Sequence, residues 1–213
     1  MAVELKMLDH VALWVSGRAS LAARLVGLGL REIEQTDRFT LLGGDARRGK
    51  LTLFDAEGRR EAGVLARIGL RVPGADGADA DLGEGLVLRL LPGDEIDLDH
   101  VALRVPDPDA SARRWLDYGL HAAPSTDDGT TRVELSGAFI ELERSDVLYS
   151  ERPLLNHLGA LVASAEEQRA EAEGHGIEVV NVVDAPNTLA VFVRGPDGVM
   201  LEYIEHKPSF SLV

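Results

Sequence analysis

The chain has 213 residues, 22 Lys and Arg against 36 Asp and Glu, a net charge of −14, 45% hydrophobic residues and no cysteine. Those values exclude a disordered or fibrous chain, make a phosphate backbone an unfavourable partner, and require any metal site to be built from His and carboxylates rather than thiolates. No stretch approaches the ~18 apolar residues of a membrane span, and the opening Met1-Ala2-Val3-Glu4-Leu5-Lys6 lacks a signal peptide's basic and apolar regions, so a cytoplasmic protein with neither nucleic-acid nor membrane partners is expected.

The first strand is predicted at Leu8-Asp9-His10-Val11-Ala12-Leu13, followed by a helical segment ending at Gly29 and an extended stretch from Leu30 to Ile33. A second, abbreviated copy begins at Ala66-Arg67-Ile68-Gly69-Leu70-Arg71-Val72-Pro73, with Arg67 where the first copy has its histidine. The Gly/Asp/Ala run from Gly74 to Asp81 takes the place of the helix. The opening hexapeptide then recurs without change as Leu98-Asp99-His100-Val101-Ala102-Leu103. Asp107-Pro108-Asp109 starts its helix, Gly119 ends it, and strands follow at 120–123, 130–135 and 138–142. The fourth copy opens at Leu155-Asn156-His157-Leu158-Gly159-Ala160-Leu161, is capped at Ser164 with Glu167 three residues on, and ends its helix at Gly176. Strands at 177–183, 188–193 and 199–204 complete it, with Asp197-Gly198 as a hairpin turn. In three copies the histidine precedes the glycine by 19 residues.

The repeating unit is therefore βαβββ, present at about 5–58, 62–92, 96–145 and 153–206. The expected class is α+β, with four modules paired into two cup-shaped, mostly antiparallel sheets. Pairing the modules in chain order gives a metal-poor N-terminal half, 1–93, and a metal-binding C-terminal half, 94–213, joined near Pro92-Gly93-Asp94-Glu95.

Alternation along a strand puts His100 with Ala102 and Arg104 on one face, and Val101, Leu103 and Val105 on the core face. In the closing strands a glycine precedes a fixed position by four residues: Gly137 before Glu141, Gly198 before Glu202, Gly49 before Leu53, Gly85 before Arg89. The C-terminal half thus offers His100, Glu141, His157 and Glu202 at equivalent places. Taken singly, a strand His or Glu is ordinarily a surface or satisfied core group. Taken together, converging carboxylates repel unless a cation lies between them, and mixed N/O ligands suit Fe, Mn, Ni, Co or Zn. His10 is expected among Leu53, Arg67 and Arg89, where no metal should bind; that half is read as structural, with an anion pocket at the two arginines as the alternative.

These residues resemble the vicinal oxygen chelate superfamily, which includes glyoxalase I, methylmalonyl-CoA epimerase, bleomycin-resistance-like drug binders and extradiol dioxygenases. The likeness rests on the βαβββ repeat, the Leu-Asp-His-Val-Ala-Leu openings and Gly195-Pro196-Asp197-Gly198-Val199-Met200-Leu201-Glu202, similar to the family's final hairpin. It implies one divalent ion on His100, His157 and Glu202, binding two neighbouring oxygens of a small-molecule substrate. Glu141 matches the displaceable fourth ligand of glyoxalase I, which can act as a base. That carboxylate favours proton transfer, as in an isomerase, epimerase or lyase. The alternative is an Fe(II)- or Mn(II)-dependent extradiol dioxygenase, disfavoured because the family's tyrosine and histidine positions hold Phe192 and Val183; a non-catalytic drug binder is the third reading. Arg104, Phe139, Phe192, Met200 and His206 are the expected substrate-binding residues. His121 and His175 are expected to cap helix ends, the tail 208–213 to dock on the body or a partner, and the loops at 122–130 and 148–155 to shape the cavity. The oligomeric expectation is a monomer or homodimer.

Overall fold

The computed structural model describes residues 4–47, 49–146 and 150–212; Met1–Val3 and part of the loop expected at 148–155 lie outside them, as does the last residue of the tail. The first module comprises β1 (Leu5–Val15), α1 (Arg18–Gly27), β2 (Arg31–Gln35), β3 (Phe39–Gly43) and β4 (Lys50–Asp55). The second has β5 (Leu65–Val72), β6 (Asp79–Asp81) and β7 (Val87–Pro92), with no helix among its described residues. The third runs through β8 (Asp97–Val105), α2 (Pro108–Leu116), β9 (His121–Ala122), β10 (Thr131–Leu135) and β11 (Ala138–Arg144). The fourth contains β12 (Leu155–Val162), α3 (Ala165–Gly174), β13 (Val179–Asp184), β14 (Thr188–Arg194) and β15 (Met200–His206).

The local signals act as their chemistry dictates. Asp107 accepts a hydrogen bond from the Ala110 amide with Pro108 in the first turn, and Ser164 accepts from the Glu167 amide. Gly29, Gly119 and Gly176, just beyond the helices, adopt φ of 101°, 90° and 74°, a region glycine enters without a Cβ penalty. The core faces of the lead strands are fully buried, with Val11, Leu13, Val101, Leu103 and Leu158 in one continuous apolar cluster that also takes Leu25 of α1 and Trp115 of α2. No described helix is long and apolar enough to cross a membrane.

The pairing of modules differs from chain order. One sheet runs β13-β14-β15-β12-β1-β4-β3-β2 and the other β6-β7-β5-β8-β11-β10-β9. The first module is thus joined to the fourth through antiparallel β1 and β12, and the second to the third through antiparallel β5 and β8. Within each module the lead and closing strands run parallel, so the sheets are mixed. Only residues 93–96 separate β7 from β8, whereas 56–64 and 145–154 join the outer modules; the short link keeps the middle modules together, where closure costs least entropy. The two longer links run side by side, with the Glu61 amide donating to Arg152 O at 3.1 Å and the Leu154 amide to Glu61 O at 2.7 Å.

In this arrangement neither 1–93 nor 94–213 contains a complete sheet. Residues 94–213 produced alone leave β8 and β12 without their antiparallel partners and are expected to lose the cooperative thermal transition of the full chain as a monomer. Supplying 1–93 in trans should restore it, as read by circular dichroism and size exclusion.

Candidate metal centre

The β1–β12 register places His10 opposite Gly159 and Ala12 opposite His157, while the β12–β15 register sets Glu202 beside Gly159. These positions turn away from the core onto the inner face of one cup. The approach is close: a Cβ at residue 159 would stand 2.3 Å from the His10 ring, so only glycine leaves that ring its place. His10 Nε2 and Glu202 Oε2 are 2.9 Å apart, His157 Nε2 and Glu202 Oε2 3.0 Å, and the two Nε2 atoms 2.9 Å. All three side chains are buried, at 5–6% exposure.

Each imidazole is held from behind. His10 Nδ1 donates to Asp9 Oδ2 at 2.9 Å, and His157 Nδ1 to Asn156 Oδ1 at 3.2 Å. An Nδ1–H fixed on an acceptor leaves the Nε2 lone pair of the neutral ring pointing forward, so two nitrogen lone pairs and a carboxylate oxygen converge. This is the arrangement of metal-bound histidines with outer carboxyl or amide partners. Ligand atoms ~3 Å apart also match one face of an octahedron whose metal–ligand distances are ~2.1 Å. The donor set therefore fits a divalent ion.

Electrostatics around the three residues agree. Burial alone would lower the His10 pKa, but the Glu202 charge and hydrogen bonds to Asp9 and Glu202 raise it to about 9. Burial opposes the Glu202 charge too, yet the His10 charge, the hydrogen bond from His10 and the adjoining His157 imidazole bring that carboxyl down to about 2. His157 is lowered, chiefly by burial, and stays neutral. Burial works against the Asp9 carboxylate, and the bonded His10, the neighbouring His206 and the Lys50 ammonium hold it far below the usual range. Lys50 Nζ lies 2.9 Å from Asp9 Oδ2 and donates to Ala46 O at 3.1 Å.

The four residues expected to converge are divided between the sheets. His157 and Glu202 are in the cup just described, whereas His100 and Glu141 lie on β8 and β11 of the other. His10, expected in a metal-free half, supplies the third member of the cluster because β1 lies against β12 and not against β5. Its fourth strand position holds Thr52, opposite Ala12, rather than Leu53, which points into the core. Counting four residues from a glycine fails there because the inward position, Thr52, lies three residues after Gly49; the strand register, visible only in the paired sheet, decides which face a side chain takes.

A cavity of about 530 Å³ opens in front of the three residues. Phe192 and His206 line it, together with Phe39, Phe54 and Phe210. Phe192 meets the His157 ring edge-on at 5.2 Å, and Phe210 stacks on His206 at 4.2 Å, so the tail docks on the body beside the mouth. Arg104 and Phe139 stand elsewhere: Arg104 donates to Leu65 O at 2.7 Å in the second sheet, and Phe139, in register with His100, packs under Arg132. Met200 begins β15 outside the lining. His175 caps α3 through its amide, while His121 lies exposed on the edge strand β9.

A neutral imidazole is needed for ligation, and His10 is protonated below about 9 in the metal-free chain. Metal capture near neutral pH is therefore expected to release a proton, with affinity rising as pH approaches 9. Calorimetry in two buffers of different ionisation enthalpy measures this; equal heats in both would contradict it.

No protein-family model matches the chain, and no curated protein does. Among solved structures, a candidate dioxygenase from Bacillus subtilis superposes with a TM-score of 0.77 at 17% identity, covering 98% of this chain and 88% of that one. Glyoxalase I from Zea mays gives 0.70 at 14% identity, covering 94% and 92%. Its V278E variant gives 0.71 at the same identity and coverage. Such identities establish architecture, and the architecture is the same along almost the whole of each chain. The fold of this protein is the one shared by the Bacillus subtilis candidate dioxygenase and Zea mays glyoxalase I.

Proposed function

We propose that the chain is a metal-dependent enzyme of the vicinal oxygen chelate type, holding one divalent ion on His10, His157 and Glu202 and a small-molecule substrate through two neighbouring oxygens. The observation that carries this reading is the convergence of two tethered imidazoles and one carboxylate on a single point at the floor of a cavity. Among the reactions open to such a site, oxygen-dependent cleavage of a catechol-type ring has the better support. The proton-transfer reading depended on Glu141, and that residue belongs to the other cup. At the equivalent position here Thr52 offers a hydroxyl, a poor base and a weak ligand. A set of two histidines and one carboxylate leaves positions for a bidentate substrate and O₂, and is the ligand set of non-haem Fe(II) oxygenases. The likeness to the Bacillus subtilis candidate dioxygenase points the same way.

The ion, when bound, would acidify the coordinated oxygens and, as Fe(II) or Mn(II), exchange electrons with O₂. The chain's own groups do the rest. Asp9 and Asn156 hold the imidazoles in the ligating tautomer. Phe39, Phe54, Phe192 and Phe210 present flat apolar walls that accept a ring and exclude bulk water. His206, on the cavity wall with its Nε2 3.3 Å from Asp9 Oδ1, is the side chain placed to hold or pass a substrate hydroxyl proton.

The test is oxygen uptake by Fe(II)- or Mn(II)-loaded protein offered substituted catechols, with metal content measured in parallel. Turnover accompanied by a ring-opened product is expected, falling on the order of 10³-fold in His10→Ala, His157→Ala and Glu202→Ala. His100→Ala should retain activity. Metal-dependent conversion of a hemithioacetal without oxygen uptake would assign proton transfer instead. Failure to bind any metal after reconstitution with Fe, Mn, Ni and Zn would overturn the enzyme reading and leave a small-molecule binder.

A further inference from the structure

The second cup repeats the strand registers of the first. Arg67 stands opposite Ala102 and Gly69 opposite His100, while Glu141 lies beside Ala102 and Arg89 beside Gly69. In the first cup His10 stands opposite Gly159 and Ala12 opposite His157, with Glu202 beside Gly159 and Thr52 beside Ala12. By these registers His100, opposite a glycine, stands as His10 does, and Arg67, opposite an alanine, as His157 does; Glu141 stands as Thr52 and Arg89 as Glu202, so the carboxylate sits on the other closing strand. Each cup thus offers a closing-strand carboxylate and a lead-strand histidine, and a second lead-strand histidine is what the second cup lacks.

The remaining pair is still arranged as ligands. His100 is 4% exposed, its Nδ1 donates to Asp99 Oδ1 at 2.7 Å, and its buried Nε2, 3.6 Å from Glu141 Oε2, has no hydrogen-bond partner among the described residues. The missing positive charge is present in another form. Arg67 Nη2 lies 2.7 Å from Glu141 Oε2, and its Nη1 pairs with Glu143. Arg89 does not share this task, being bound through Nε and Nη2 to Asp79 at 2.7 and 2.9 Å.

We infer that the second cup is a divalent-metal site in which the Arg67 guanidinium replaces the ion, so that exchanging this one residue for histidine restores metal binding there. A guanidinium is permanently charged and satisfies the Glu141 carboxylate much as a cation would. It cannot accept an electron pair or hold an exchangeable ligand, so the cup is kept electrostatically complete and chemically silent. Nothing in the registers forbids the reverse exchange, since His157 itself stands against an alanine, Ala12, as a histidine at 67 would stand against Ala102.

The comparison of positions rests on the proposed ligand set of the first cup, and the variants are chosen to separate the two. Zn(II) or Mn(II) bound per chain is counted by equilibrium dialysis and elemental analysis in wild type, His10→Ala, Arg67→His and the double variant. Expected counts are one, none, two and one ion per chain. A wild type that binds none, with Arg67→His binding one, would sink the first-cup reading and leave this inference standing. A folded Arg67→His that binds no more than wild type overturns it, as does a wild type whose binding is lost in His100→Ala or Glu141→Ala. Should Arg67→His fail to fold without metal, its melting transition is measured with added Zn(II): recovery supports the inference, and no recovery overturns it.

Discussion

The antiparallel pairing of β1 with β12 is the contact on which the site depends. It joins strands that begin 150 residues apart in the chain and brings two histidines, each on the non-core face of its own strand, to 2.9 Å. Neither module could assemble the cluster alone, since each contributes one imidazole and only the fourth contributes the carboxylate. The close approach also explains the sequence at one position: Gly159 has no side chain because the His10 ring occupies that space.

Burial makes the cluster's charge balance demanding. Asp9 and Glu202 are carboxylates held in a dehydrated setting, offset in the metal-free chain by Lys50 and protonated His10. Buried charges persist only when paired, because desolvation costs several kcal/mol per ion. A divalent ion displacing the His10 proton would add one net charge on balance, and bonds to two imidazoles and a carboxylate would offset the desolvation of that charge. Lys50, with Asp9, is therefore part of the support of the site although it is not a ligand.

The two cups show what repetition of one unit allows. The frame of paired lead strands and parallel closing strands is retained in both. On that frame single residues decide the chemistry: a histidine at position 10, once deprotonated, offers a lone pair beside Glu202, and an arginine at position 67 meets Glu141 with its own charge. The second module has also lost its helix, and β6 is only three residues long, so divergence affects both scaffold and site in the same unit.

Much of this was written in local sequence. The repeated openings, the Ser164 and Asp107 caps, the glycines ending the helices and the two-residue alternation are short-range signals, and they specify the βαβββ units and the faces on which His10, His100, His157, Glu141 and Glu202 lie. Which unit meets which was not written there. Gly69 and Gly159 occupy equivalent positions, so a histidine strand finds the same opening whether modules pair in order or outer with outer and inner with inner. Strand pairing is a contact between distant segments with nearly identical surfaces, and only the assembled sheets, with their unequal links, select one arrangement. That choice assigns His10 rather than His100 to the candidate metal cluster, puts Thr52 in place of a carboxylate, and sends Glu141 to Arg67.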